Sequence, residues 1–443
     1  MKKLFWLLFF PLPVFCQNTI GLPDVINYSK QSYSGGLQNW DIKQDKNGII
    51  YIANNEGLLS FDGSNWHLYS LPNKTIVRSI EIGIDNRIYV GGQDELGYFS
   101  PSSNGLLQYH SLTLNIPAKD KAFGDVWDII SFQKAIFFRS NNKIFKLTNG
   151  VFTSYNPPSE WTYLGLCNDH LYAHDINSGL LSFENDRWKT LFLKNELPAN
   201  DPITGLLSIQ KDSALISTLK HGLYILSETG LSKMESPNNP LFENERIYAA
   251  TSINKEWIAL ATNNSGIYIT DLKGNIVQRF SGKEGMQNNN VLSIFLDRQS
   301  NLWCGLDNGI DLIAYNSAIK QINPASQDGS GYTAIIHNTR LFVGTSNGLY
   351  SVLLQQMKDH SFSKGNFMPV NNTKGQVWCL ANINNQLLMG HHDGAFIIND
   401  LTAQTFSSNQ GFWNFIPLSS NNLNTRIVAG NYKGLEFFDF ANG

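Results

Sequence analysis

The chain has 443 residues, of which 42% are hydrophobic and 12% aromatic, with 33 Lys and Arg against 36 Asp and Glu. It is too long for one small domain and has ample apolar material for a large core. A formal charge of −3, with no basic stripe, argues against a nucleic-acid partner for this region.

Residues 1–16 read as a secretory signal: Lys2 and Lys3, an apolar run from Leu4 to Phe10, then Val14-Phe15-Cys16 before a cut ahead of Gln17. The mature chain is expected to be exported to the periplasm. A lipoprotein alternative would acylate Cys16, but the bulky Phe15 fits a lipid-attachment signal poorly. Beyond the signal no apolar run approaches the ~18 residues that span a bilayer, so membrane attachment would have to come through a downstream segment. Loss of Lys2 and Lys3 brings the mature charge to about −5. Cys167, Cys304 and Cys379 are left, each in an apolar strand-like run, and read as buried thiols rather than as a disulfide framework or a metal site.

Residues 17–35 form an N-terminal extended segment. Its strand-like Val25-Ile26-Asn27-Tyr28-Ser29 is unassigned, a candidate to complete a sheet elsewhere. From residue 36 a phrase repeats: strand, turn, a strand ending in a small residue, then Asn/Asp-Gly-aliphatic-aromatic. Gly57, Gly97, Gly179, Gly222, Gly266, Gly309, Gly348, Gly394 and Gly434 open the third strand of successive units, with Asn142 in the remaining slot. The spacing is about 42 residues, a period of stacked blades or a solenoid.

The first unit shows the parts. Trp40-Asp41-Ile42-Lys43-Gln44 is a strand, Asn47-Gly48 a tight hairpin turn, Ile49 to Ala53 the second strand, Leu58-Leu59-Ser60-Phe61 the third and Trp66-His67-Leu68-Tyr69 the fourth. Small residues end the second strands where sheets would crowd toward an axis, and large aromatics fill the wider outer gap. No segment carries a sustained 3.6-residue period, so helical repeats fail. Trp40-Asp41 and Trp127-Asp128 begin first strands rather than ending third ones, which separates the repeat from the Trp-Asp type.

The fold class is therefore all-β: a seven-bladed β-propeller at 36–323, a linker at 324–331, and an incomplete second propeller of about three blades at 332–443. Three blades cannot close a ring, so the sequence is expected to be the front part of a longer protein or a truncated product.

Val291-Leu292-Ser293-Ile294-Phe295-Leu296-Asp297, followed by Asn301-Leu302-Trp303-Cys304-Gly305-Leu306-Asp307-Asn308-Gly309-Ile310, resembles the regulator-propeller repeat of large Bacteroidota-type membrane regulators. The motif is specific in units seven and eight and degenerate in units three and four. Gly36-Leu37-Gln38-Asn39-Trp40-Asp41-Ile42, with Phe61-Asp62-Gly63, resembles the start of the subgroup that ends in a triple-tyrosine domain. The resemblance implies two propellers, a small β-sandwich, a membrane helix and a cytoplasmic output, either a hybrid two-component kinase or a transcription-regulating helix-turn-helix. It also implies an extracytoplasmic signal-transduction sensor, often of saccharides. The downstream parts are absent from this sequence.

Trp40, Trp127, Trp378 and Trp413 share a register at the start of first strands and are the candidate ligand-binding residues, a stacking surface for the apolar faces of sugar rings. The competing and preferred reading is packing between blades, with each indole N–H bonded to a neighbouring carbonyl. Gly390-His391-His392-Asp393-Gly394 suggests a metal, but neighbouring strand residues point to opposite faces, so a hairpin loop is preferred. Asp94 and Glu95 read as a loop rather than as a catalytic pair. No catalytic residue, metal ligand or cofactor is assigned.

The leading functional reading is a ligand sensor, with a small molecule or oligosaccharide as partner and a homodimer as the signalling form. The alternatives are a secreted propeller lyase or glycosidase, which would need two or more carboxylates converging in one cleft, and a protein-binding scaffold.

Overall fold

The computed structural model describes residues 21–191, 197–198, 200–211, 213–324, 329–354, 367–418 and 425–440. The signal assigned to 1–16 and residues 325–328 of the expected linker lie outside them. The described chain divides into two units, one of Pro23–Ala318 and one holding Leu22 and Ile319 onward.

The Pro23–Ala318 unit contains seven four-stranded antiparallel sheets. Six are built from consecutive strands, as in Asn39–Gln44, Ile50–Asn54, Gly57–Phe61 and Trp66–Tyr69. The seventh is different. Val291–Leu296, Leu302–Leu306 and Ile310–Ile313 supply three strands, and the N-terminal Val25–Tyr28 adds the outer one, pairing Val25 with Ile313 and Tyr28 with Ile310. The strand that the sequence leaves unassigned, a candidate to complete a sheet elsewhere, is thus the outer strand of the last sheet of this unit.

Packing between neighbouring sheets is apolar. Sheets one and two share Ala53, Leu58, Val77 and Val90; sheets three and four share Phe137, Ile144, Trp161 and Leu171. The ring closes where Ile42, Ile52 and Leu59 of sheet one meet Trp303 and Ile310 of sheet seven. Tyr28 lies over Trp303 there, with ring centroids 6.0 Å apart and planes nearly parallel.

The small residues ending second strands have a direct cause. A Cβ on Gly91 would sit 2.5 Å from Cγ1 of Val126 in the next sheet, and one on Gly305 would sit 2.5 Å from the Asn39 carbonyl oxygen across the ring closure. Sheets three and four break the rule with the buried Arg139 and His174 in that slot.

The turn glycines carry positive φ, for example Gly57 at 141° and Gly309 at 103°, a region that glycine reaches without steric cost. The second unit is out of register with that alignment. Its third strand is Glu95–Pro101, so Gly97 lies inside the strand and the left-handed residue before it is Asp94, with φ 48°.

The unit from Ile319 onward holds two four-stranded sheets and one three-stranded sheet among the described residues. Phe342, Leu349, Val377 and Met389 pack the first against the second, and Leu388, Phe412, Phe415 and Ile427 pack the second against the third.

Candidate functional site

Every first strand of the seven-sheet unit carries a β-bulge at the same place. In sheet one Asn39 pairs with Asn54 and Asp41 with Ala53, leaving Trp40 as the extra residue. The same shift isolates Arg78 in sheet two, Trp127 in sheet three and Thr162 in sheet four. It isolates Thr204 in sheet five, Tyr248 in sheet six and Leu292 in sheet seven. A bulge bends the strand and re-aims the extra side chain. All seven extra residues line one axial cavity of about 430 Å³, within the ~300–1,000 Å³ range of small-molecule sites.

In sheets one, two, three and seven the residue after the bulge fastens its sheet to the next. Asp41 Oδ2 accepts the Ile80 N–H at 2.9 Å and Asp128 Oδ2 accepts that of Leu164 at 2.9 Å. Ser79 Oγ donates to the Val126 carbonyl at 2.7 Å, and Ser293 Oγ to that of Asn39 at 3.2 Å across the closure. The bulge therefore joins architecture to site: one residue fastens the ring and its neighbour faces the cavity.

Three adjacent bulge residues form a layered group. The Arg78 guanidinium lies 4.1 Å from the Trp40 ring centroid and 4.6 Å from that of Trp127, close enough for cation–π attraction to both. The two indoles meet edge to face at 6.0 Å. Trp40 Nε1 donates to Asn55 Oδ1 at 2.7 Å, a side-chain oxygen rather than the backbone carbonyl expected for a packing tryptophan.

The four candidate tryptophans do not form one surface. Trp40 and Trp127 line the axial cavity with Arg78 against both. Trp378 and Trp413 belong to the other unit, where Trp378 contacts Tyr332 at 5.1 Å and the half-exposed Trp413 contacts Tyr432 at 5.0 Å. Arg78, Thr162, Thr204, Tyr248 and Leu292 line the same cavity but share no residue type, so the tryptophan register does not reveal them. A signal was present in Val77-Arg78-Ser79, Ile203-Thr204-Gly205, Ile247-Tyr248-Ala249 and Val291-Leu292-Ser293, the same apolar-x-small phrase that Val126-Trp127-Asp128 follows with Asp in place of the small residue.

Lining charges lie in hydrogen bonds and ion pairs. Arg139 Nε donates to Asp128 Oδ2 at 2.7 Å, and its Nη1 to Asn141 Oδ1 at 3.1 Å and to the Trp161 carbonyl at 3.2 Å. Asn141 Nδ2 donates to Glu160 Oε1 at 2.7 Å. Lys43 lies 3.5 Å from Glu81. Burial pushes the Asp41 carboxyl up, against the opposing pull of Lys43 and two backbone N–H groups. Burial by itself would lower Lys43, but the Asp41 and Glu81 carboxylates raise it instead, so it stays an ammonium. Burial also raises the Tyr248 phenol, which remains a neutral donor.

The other candidate clusters are held in local structure. Asp94 Oδ1 accepts the N–H groups of Phe123 and Gly124, and Glu95 Oε1 accepts from Tyr109, Ser111 and Thr113 hydroxyls. His391 is buried against Phe396 while His392 faces Tyr432. Among the described residues no group of three His, Cys, Asp or Glu is placed to hold a metal. Burial raises Cys167 and Cys379 to about 11, which leaves both as thiols.

Fold and site together define a β-propeller with an axial cavity lined by bulge residues. No protein-family profile matches the chain, and no curated protein matches it by sequence. Solved structures do. The extracellular domain of the hybrid two-component system BT3049 from B. thetaiotaomicron is 18% identical with a TM-score of 0.65, over 96% of this chain and 60% of that one. That of BT4673 from the same organism is 18% identical with a TM-score of 0.54, over 95% and 58%. Virginiamycin B lyase from Staphylococcus aureus is 15% identical with a TM-score of 0.52, over 65% and 98%. At these identities the likeness is one of fold. The chain spans 58–60% of the length of the two extracellular domains. No helix among the described residues is long and apolar enough to cross a membrane.

Proposed function

We propose that the chain is the extracytoplasmic ligand-sensing region of a signal-transduction regulator, and that its ligand is a carbohydrate bound in the axial cavity of the Pro23–Ala318 unit. The observation that carries this reading is the convergence of one re-aimed side chain from each of seven sheets on a single cavity. These side chains combine two indoles and a phenol with two threonine hydroxyls, apolar faces beside hydrogen-bonding edges. The export signal read at residues 1–16 and the fold shared with extracellular sensor domains support it. Signal transfer would use a rearranging homodimer, with output supplied by segments beyond this sequence.

A glycan array followed by titration calorimetry tests the site. A saccharide should bind the intact protein, and Trp127→Ala should weaken that binding by about tenfold to a hundredfold, which is ~1.4–2.8 kcal/mol. Silence across the array, or binding unaffected by Trp40→Ala and Trp127→Ala, would sink the proposal.

A second reading, a propeller glycosidase or lyase, draws on Asp41, Asp128 and Glu160 lining the same cavity. It is weaker because Asp41 and Asp128 are committed to backbone N–H groups and Arg139 that hold sheets together. Product release from an oligosaccharide, abolished by Asp41→Asn, would favour it.

A further inference from the structure

Each cation around the axial cavity already has a carboxylate. Arg139 lies 2.7 Å from Asp128, Arg78 3.4 Å from Asp125 and Lys43 3.5 Å from Glu81. The lining itself holds three carboxyl groups, Asp41, Asp128 and Glu160, and three cations, Lys43, Arg78 and Arg139, so it offers an anion no surplus of positive charge. Arg78 is the one cation set among stacking groups, where it could reach a ligand carboxylate or sulfate. Its Nε and Nη1 atoms, however, are covered and hydrogen-bond nothing, while both indoles lie against its guanidinium. An acidic ligand would have to separate Arg78 from Asp125 or move an indole, with no surplus of positive charge in the lining to offset that cost. A neutral ligand faces no such cost and can exchange hydrogen bonds with Thr162, Thr204 and Tyr248.

We propose that this cavity selects uncharged polyhydroxylated ligands and rejects their acidic counterparts, and that Asp125 sets this preference by holding Arg78 unavailable. The inference rests on the carbohydrate reading above and sharpens it. Asp125 does not line the cavity, so it acts through Arg78 as a positioning residue.

The test uses the full chain and an array holding neutral saccharides beside uronate and sulfated counterparts, such as cellobiose with cellobiouronic acid and lactose with lactose 3′-sulfate, followed by calorimetry on each hit and its partner. Neutral members should bind with little dependence on salt, and acidic partners about tenfold or more weakly. Asp125→Asn should narrow that gap by freeing Arg78 for an anion, while far-ultraviolet circular dichroism stays unchanged. An acidic partner that binds the wild-type protein as tightly as its neutral counterpart overturns the inference and leaves the carbohydrate reading intact. An unchanged gap in Asp125→Asn overturns the role of Asp125. Silence from both halves of the array overturns the carbohydrate reading and this inference together.

Discussion

The first two sheets of the unit from Ile319 onward carry the same first-strand bulge as the seven-sheet unit, and the bulge residues end in different surroundings. In the seven-sheet unit Trp40, Arg78 and Trp127 come from three successive sheets, and a guanidinium lies against both indoles, which meet edge to face. In the other unit Tyr332 and Trp378 are the extra residues of successive sheets, with rings in direct contact at 5.1 Å and the Trp378 Nε1 buried without a hydrogen-bond partner. The small-residue slot differs as well. It is Gly344 and Gly390 in the first two sheets of that unit, whereas the seven-sheet unit admits Arg139 and His174. A local sequence phrase sets the bulge and the direction of its side chain. What that side chain meets depends on its neighbours around the ring.

The largest effect should come from breaking the closure. Gly305→Ala places a Cβ 2.5 Å from the Asn39 carbonyl oxygen and 2.2 Å from Ser293 Oγ, whereas Gly344→Ala meets only side-chain carbons of Thr333 and Val377, the nearest at 2.6 Å. Backbone cannot step aside as a side chain can, so Gly305→Ala should cost about 3 kcal/mol or more and Gly344→Ala about 1 kcal/mol. Midpoint shifts in urea denaturation measure both. Equal losses would mean that closing the ring is no more demanding than stacking neighbouring sheets.

Next comes the histidine in the small-residue slot. Burial holds the His174 imidazole neutral, with Asp175 and Asp201 opposing weakly, and its pKa is pulled down to about 4. Thr162 Oγ1 lies 2.6 Å from its Nδ1, beneath the bulge of sheet four. An unfolded histidine titrates near ~6.5. Above that pH neither state takes the proton. Between about pH 6.5 and 4 only the unfolded chain takes it, so stability falls as pH falls through that window, by about 3 kcal/mol, and this contribution levels off below it. His174→Ser, which installs the residue that sheet five uses at Ser217, should flatten that part of the stability profile. A profile unchanged by the substitution would show that the imidazole is not held neutral.

Much of this architecture was legible in the sequence, because its causes are local. Asn47-Gly48 and the Gly57 and Gly309 turns follow from backbone angles, and the strand periods follow from apolar alternation. The failures are of another kind. Gly97 fits the repeat as a strand opener, but it lies inside the strand and the left-handed position belongs to Asp94. Val25–Tyr28 could not be placed, since its partner Ile310–Ile313 lies more than 280 residues away and long-range pairing leaves no local trace. At the site, Trp40 and Trp127 stood out by residue type. Arg78, which lies against both, did not, because a bulge is a matter of register between two strands and cannot be read from one strand alone.

The smallest effect tests that guanidinium directly. Arg78→Met keeps a long unbranched side chain against Trp40 and Trp127 and removes the positive charge, bringing the group closer to the uncharged contact between Tyr332 and Trp378. Two cation–π contacts at partly buried rings, together with the ion pair to Asp125, should amount to about 1–2 kcal/mol of stability. The substitution should also change the environment of Trp40 and Trp127 and leave that of Trp378 and Trp413 unaltered. The chain has ten tryptophans, so the emission change caused by Arg78→Met is compared with the change it causes in a Trp40→Phe, Trp127→Phe background, and the difference reports on that pair. If Arg78→Met changes the emission equally in both backgrounds, the guanidinium is not what holds the two indoles in place.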